Sequence, residues 1–131
     1  MIKKDIETRY DVTIMVHEFY KQVKNDSLLG GVFIGAIGKN WDAHLEKMVN
    51  FWDSLLFHEP VYSGQPYPKH ADLPISHEHF ERWLHLFYKT IDANFTGVKA
   101  DEAKSKAANV AKVFMAKLFS FNVHPEASSL I

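Results

Sequence analysis

The feature that most constrains this chain is the spacing of its apolar residues, which recur every three or four positions almost throughout and so demand helices. Val12, Met15, Val16, Phe19, Tyr20 and Val23 form one stripe, with Asp11 placed to cap its start and Asn25-Asp26-Ser27 to break its end. Trp41, Leu45, Met48, Val49, Trp52, Leu55 and Leu56 form a second, which predicts a helix over about 41–57. A third begins at Ser76, an N-cap with Glu78 in the first turn, and turns Phe80, Trp83, Leu84, Phe87 and Ile91 inward. Gly97 closes that region, and a fourth helix from about Asp101 turns Ala103, Ala107, Val110, Ala111, Phe114 and Leu118 inward. No period-two alternation competes with these stripes. The fold class is all-α.

Between the stripes lie two segments of different character. Residues 27–38 hold four of the six glycines and form a turn or short helical corner carrying Leu28, Leu29, Val32 and Phe33. Residues 58–75 contain Pro60, Pro66, Pro68 and Pro74 with Gly64 among them, which forbids a regular helix over most of the span. A connection of that length without structure of its own is uncommon inside a domain and is usually functional. At 131 residues the chain is read as one domain over 1–131, with a core over about 11–121 and short tails, the last starting at His124-Pro125.

Composition removes several chemistries. There is no cysteine, which excludes disulfides, thiolate metal sites, thiol catalysis and covalent C-x-x-C-H haem attachment. The formal net charge of −1 gives no field to recruit nucleic acid or anionic lipid, and no predicted helix concentrates base-reading cations. The lysines between Lys99 and Lys117 read as the wet face of a helix. No run of apolar residues approaches a membrane span, and Met1-Ile2-Lys3-Lys4-Asp5 turns acidic at once, so neither a membrane segment nor a signal peptide is expected and the cytoplasm is the default location.

Two histidines stand out. His44 projects from the edge of the second stripe, and His70 lies in the proline-rich segment, in Pro68-Lys69-His70-Ala71-Asp72-Leu73-Pro74. A cysteine-free helical chain rich in phenylalanine and tryptophan can wall a large flat apolar ligand between helices, and haem held by imidazole suits such a pocket. The same aromatics can equally fill a plain core, and on composition alone that is the simpler reading. It makes the chain a cofactor-free helical interaction module. A third reading places a metal without haem on His77, Glu81 and His85, which recur every four residues along one helix face; surface rows of this kind are common and seldom hold a metal.

Five ordered motifs separate these readings. They are Phe19-Tyr20-Lys21-Gln22-Val23 with Leu28-Leu29-Gly30-Gly31-Val32-Phe33; Trp41-Asp42-Ala43-His44-Leu45-Glu46-Lys47-Met48 with Phe51-Trp52; Tyr62-Ser63-Gly64-Gln65-Pro66; His70-Ala71-Asp72-Leu73-Pro74-Ile75; and His79-Phe80-Glu81-Arg82-Trp83-Leu84-His85-Leu86-Phe87. In this order, over about residues 11–121, they resemble the truncated haemoglobins of group III. One departure is Gly30-Gly31, where the family often has Gly-Pro, and a second glycine loosens that corner.

The resemblance implies a two-over-two helical sandwich around haem, with the first globin helix very short or absent. It implies non-covalent haem b with His70 as the proximal ligand of the iron. Tyr20, His44 and Trp83 become the polar side chains on the ligand-binding face, and Phe33, Met48, Trp52 and Leu73 become pocket wall. Lys69 and Arg82 are candidates for the haem propionates. The ligands implied are O₂, CO and NO at a five-coordinate iron, with peroxide as a further substrate. Nitric oxide detoxification or peroxidase-like turnover is the redox activity implied, with an unidentified reductase as a candidate partner. His44 ligating the iron itself gives the alternative of a six-coordinate redox or sensor protein. A monomer is the default, since no apolar patch outside the predicted core demands a partner.

Overall fold

The computed structural model describes residues 3–57 and 76–123. Among them lie five helices: α1 (Arg9–Asn25), α2 (Gly30–Ile37), α3 (Trp41–Phe57), α4 (His77–Asn94) and α5 (Val98–Val123). The proline-rich segment 58–75, the tail from His124, and the side chains of Phe114 and Leu118 lie outside the described residues. No helix among the described residues is long and apolar enough to cross a membrane.

The α1 stripe is buried as its spacing predicts, with Val12, Met15, Val16, Phe19, Tyr20 and Val23 all inside. Its start differs. Thr8, not Asp11, is the N-cap: the Thr8 side chain accepts from the Asp11 N–H, and the Asp11 carboxylate accepts from the Thr8 N–H at 3.1 Å. Thr8-Arg9-Tyr10-Asp11 is therefore a capping box, and the acid occupies its third helical position. The corner is a helix of two turns. Asp26 Oδ2 accepts from the N–H groups of Leu28 and Leu29 at 3.0 Å each and so satisfies the entrance to α2. Gly30 is demanded by packing, because a Cβ there would stand 2.6 Å from the Lys24 carbonyl oxygen, whereas Gly31 faces open space.

α3 has the predicted bounds. Its last carbonyls are met by lysines of α5: Lys99 donates to Leu56 O at 2.5 Å and Lys106 to Leu55 O at 2.7 Å. Part of the expected wet lysine face therefore neutralises the negative end of a neighbouring helix. Ser76 caps α4 as predicted, with the His79 ring nitrogen Nδ1 accepting from the Ser76 N–H at 3.1 Å. Phe80, Phe87 and Ile91 are buried, but Trp83 and Leu84 are only half-buried, and Leu86 and Thr90 take inner positions.

α5 starts three residues before its predicted position because its cap comes from far away in sequence. The Asp5 carboxylate accepts from the N–H groups of Lys99 at 2.9 Å and Ala100 at 2.8 Å, and from its own neighbour Ile6 at 2.8 Å. Gly97 makes room with φ at 139°; a Cβ there would lie 2.5 Å from Asp5 Cγ. Beside it the Thr96 N–H donates to Lys4 O at 3.0 Å. Residues 3–8 thus run as an extended clip along the α4–α5 turn, and no described helix precedes α1.

Contacts fix the helix directions. Arg9 at the start of α1 meets Asn50 and Asp53 late in α3, while Tyr20 near the end of α1 meets Trp41 and His44 at the start of α3. These two helices are antiparallel. Asp92 of α4 pairs with Lys104 of α5, and Phe80 packs on Ala111, so α4 and α5 are antiparallel as well. The Phe19 ring lies against Phe87, and Gln22 donates to the buried Thr90 at 2.6 Å, which lays α1 on α4. One antiparallel pair rests on the other, the two-over-two arrangement.

Candidate functional site

The end of α1, the corner helix α2 and the start of α3 converge on Tyr20. Its ring meets His44 at a centroid distance of 5.0 Å and 90°, Trp41 at 6.2 Å, and Phe33 at 6.3 Å. Tyr20 and Phe33 are buried, Trp41 and His44 are half-buried, and the His44 Nε2 atom is closed off from solvent. Helical spacing explains the convergence. Trp41 and His44 are three residues apart on one face of α3, and Tyr20 follows Val16 by four on the inner face of α1. Burial alone pushes the Tyr20 phenol well above its ordinary value, so it stays protonated and keeps its O–H as a donor.

Trp83 reaches this group through Phe19, which meets Trp83 at 5.5 Å and Tyr20 at 5.0 Å. Trp52, Phe87 and Trp83 form a stacked series, with centroids 4.8 Å and 5.9 Å apart. Met48 and Trp52 are buried on α3 in the same core. Tyr20, His44, Phe33, Trp83, Met48 and Trp52 are thus brought into one contiguous aromatic region, while His70 and Leu73 lie outside the described residues.

The other candidates separate from it. Arg82 donates to Asp26 Oδ1 at 2.9 Å, tying α4 to the α1–α2 corner, and Lys69 lies outside the described residues. Burial alone would raise the Asp26 pKa, but the Leu29 and Leu28 N–H groups and the Arg82 charge together hold it below the usual carboxylate range. His77, Glu81 and His85 are exposed, and among the described residues no group of three or more such side chains is placed to hold a metal.

Two contacts escaped the sequence reading. Trp41 carries no site role in the sequence, although its spacing of three from His44 puts both rings on one face. Lys24, four residues after Tyr20, sets its ammonium 4.7 Å from the Trp41 ring centroid.

This chemistry suits a haem. Buried Phe33, Met48 and Trp52 offer apolar surface for a flat macrocycle, and a protonated phenol with a buried imidazole nitrogen offers polar contact to a small molecule.

Comparison with known proteins bears on the same point. The model of the family described as bacterial-like globin matches residues 5–118. The chain is 36% identical over 110 residues to the group 3 truncated hemoglobin ctb of Campylobacter jejuni, covering 81% of this chain and 87% of that protein. Among solved structures, the crystal structure of group III truncated hemoglobin from Campylobacter jejuni superimposes with a TM-score of 0.80 at 32% identity, over 89% of this chain and 95% of that one. The chain belongs to the bacterial-like globin family, among the group III truncated haemoglobins.

Proposed function

We propose that this haem-binding globin holds haem b non-covalently through His70 and uses Tyr20, His44 and Trp83 to stabilise O₂ and related diatomic ligands. Haem, when bound, would supply a redox-active iron at which a small ligand can bind. Tyr20 donates its phenol O–H, and Trp83 and His44 can each present a ring N–H. A ligand that takes up negative charge is stabilised by such donors, and more strongly in a site from which water is excluded. Phe33, Met48, Trp52 and Leu73 supply the apolar wall.

The observation that carries this reading is the buried, protonated Tyr20 phenol set edge-on to the His44 imidazole. A single neutral donor contributes about 1 kcal/mol. Two or three donors make ligand release slow, which suits ligand chemistry better than delivery. Nitric oxide oxidation or peroxide turnover would draw on the same donors, with a reductase as partner.

The test is an absorption spectrum of the haem-loaded protein: ferric, reduced, and reduced under carbon monoxide. A Soret band that shifts with carbon monoxide and is lost in His70→Ala supports the assignment. Undiminished haem retention in His70→Ala overturns it. A reduced spectrum already six-coordinate, and converted to five-coordinate by His44→Leu, replaces the open site with internal ligation by His44.

A further inference from the structure

We infer that Trp41, pinned by the Lys24 ammonium, is the outer wall of the Tyr20–His44 region and sets how fast small ligands reach it. The inference rests on the distal reading of Tyr20 and His44 given above. It adds two side chains to which that reading assigns nothing.

Four side chains from two antiparallel helices interlock here. On α1, Tyr20 and Lys24 are four residues apart; on α3, Trp41 and His44 are three apart, so each pair shares a face. The His44 N–H bonds to Asn40 O at 2.9 Å, so the backbone between Trp41 and His44 is fixed in its first helical turn. The Trp41 ring stands 6.2 Å from Tyr20 at 68° and 6.2 Å from His44 at 85°. The Lys24 ammonium lies over the same ring, 4.7 Å from its centroid.

The layering gives the direction of access. Tyr20 and the His44 Nε2 atom are buried, Trp41 is half-buried, and Lys24 is exposed. Trp41 and Lys24 are thus the more solvent-exposed members of this group, and in this scheme they form its outer side. An indole is too large for a diatomic molecule to pass without displacing it. A cation held over its face restrains that displacement while leaving the ammonium hydrated. Trp41 is a positioning residue in this scheme, and Lys24 is the latch upon it.

The experiment is flash photolysis of the carbon monoxide complex of the haem-loaded protein. It compares the parent with Trp41→Ala, Trp41→Phe, Lys24→Met, Lys24→Arg and Tyr20→Phe. Lys24→Met is expected to raise the bimolecular association rate about two- to fivefold, the factor matching an exposed cation–π contact. Trp41→Ala raises it further, Trp41→Phe raises it less, and Lys24→Arg restores the parent rate because a guanidinium keeps the cation over the ring. A role in packing alone would move the melting temperature and not this ordered series of rates. A second readout uses the haem-free protein labelled with 5-fluorotryptophan, the Trp41 resonance being assigned by its loss in Trp41→Phe. That resonance is expected to shift in Lys24→Met and return in Lys24→Arg. If Tyr20→Phe speeds O₂ release, measured by displacing bound O₂ with carbon monoxide, while the Trp41 and Lys24 variants leave association unchanged, the wall is refuted and the distal reading stands. If Tyr20→Phe changes nothing, the distal reading falls and takes this inference with it.

Discussion

The helix α1 begins in one kind of polar environment and ends in another. At its start, Asp11 is buried, and its Oδ2 accepts from the Glu7 N–H at 2.9 Å and the Lys4 ammonium at 2.6 Å. Nearby Asp5 accepts from three backbone N–H groups, two of them on α5. Around Tyr20 at the other end, the neighbours are the rings of Phe19, Trp41 and His44 in T-shaped contact. Burial costs are met differently in the two places. Charges in the clip are offset by donors of the same chain, which locks residues 3–8 onto the scaffold. The polar atoms of the aromatic region sit among groups that exclude water and magnify any electrostatic contact made there. Substitutions in the clip should therefore act on stability and leave ligand kinetics alone, whereas removing a single polar atom near Tyr20, as in Tyr20→Phe, should act chiefly on ligand kinetics.

The strongest test of that division is Gly97→Ala. Its φ of 139° is one that side-chain-bearing residues rarely adopt, and the new Cβ would strike the Asp5 carboxyl. Backbone strain together with loss of the Asp5 cap is expected to cost about 3 kcal/mol. Urea denaturation of the haem-loaded protein measures this. The O₂ release rate of the fraction that remains folded should be unchanged, and a large change in that rate would end the division between clip and site.

Asp5→Ala comes next, with an expected loss of about 1–2 kcal/mol at neutral pH. Burial alone would raise the Asp5 pKa, but the N–H groups of Lys99, Ala100 and Ile6 outweigh it and hold the carboxyl below its usual range. Asp11 is likewise lowered: burial opposes the shift, and the Lys4 hydrogen bond with the Glu7 and Thr8 N–H groups overcomes it. A depressed folded pKa means that the stabilisation is complete above the unfolded value, about 4, and is lost as pH falls through the folded value. The stabilities of the parent and of Asp5→Ala should therefore converge below about pH 4. Curves that stay parallel into acid would show that Asp5 acts through packing and not through its charge.

How much of this was legible in the sequence follows from the range of the interactions. The α1 and α3 stripes depend on spacing within one helix, and the bounds of α3 and the burial of all six α1 stripe positions came out as the spacing implies. The start of α5 was misplaced because its cap is Asp5, more than ninety residues away. No local pattern announces such a partner, although Gly97 marked the turn. The start of α1 was a local error, since Thr8-Arg9-Tyr10-Asp11 carried the capping box in plain view. Tyr20, His44 and Trp83 are site candidates only through family resemblance, and their convergence depends on how α1, α3 and α4 cross. Trp41 shows the limit of reading a stripe: the periodicity that placed it correctly could not say which of its neighbours were polar.

The smallest expected effect concerns an ion pair that joins scaffold and site, Arg82 with Asp26. Arg82 precedes Trp83 on α4, and Asp26 holds the entrance of α2, whose Phe33 faces Tyr20. Arg82 is 42% exposed, so Arg82→Met should cost only about 0.5 kcal/mol, and less at high salt. Asp26 would keep the N–H groups of Leu28 and Leu29, so the corner holds its shape and the O₂ release rate stays at the parent value. A release rate that changes with Arg82→Met, and changes in parent protein with added salt, would mean that the pair sets the position of Trp83. The boundary between clip-like and site-like chemistry would then run through Asp26 instead of stopping short of it.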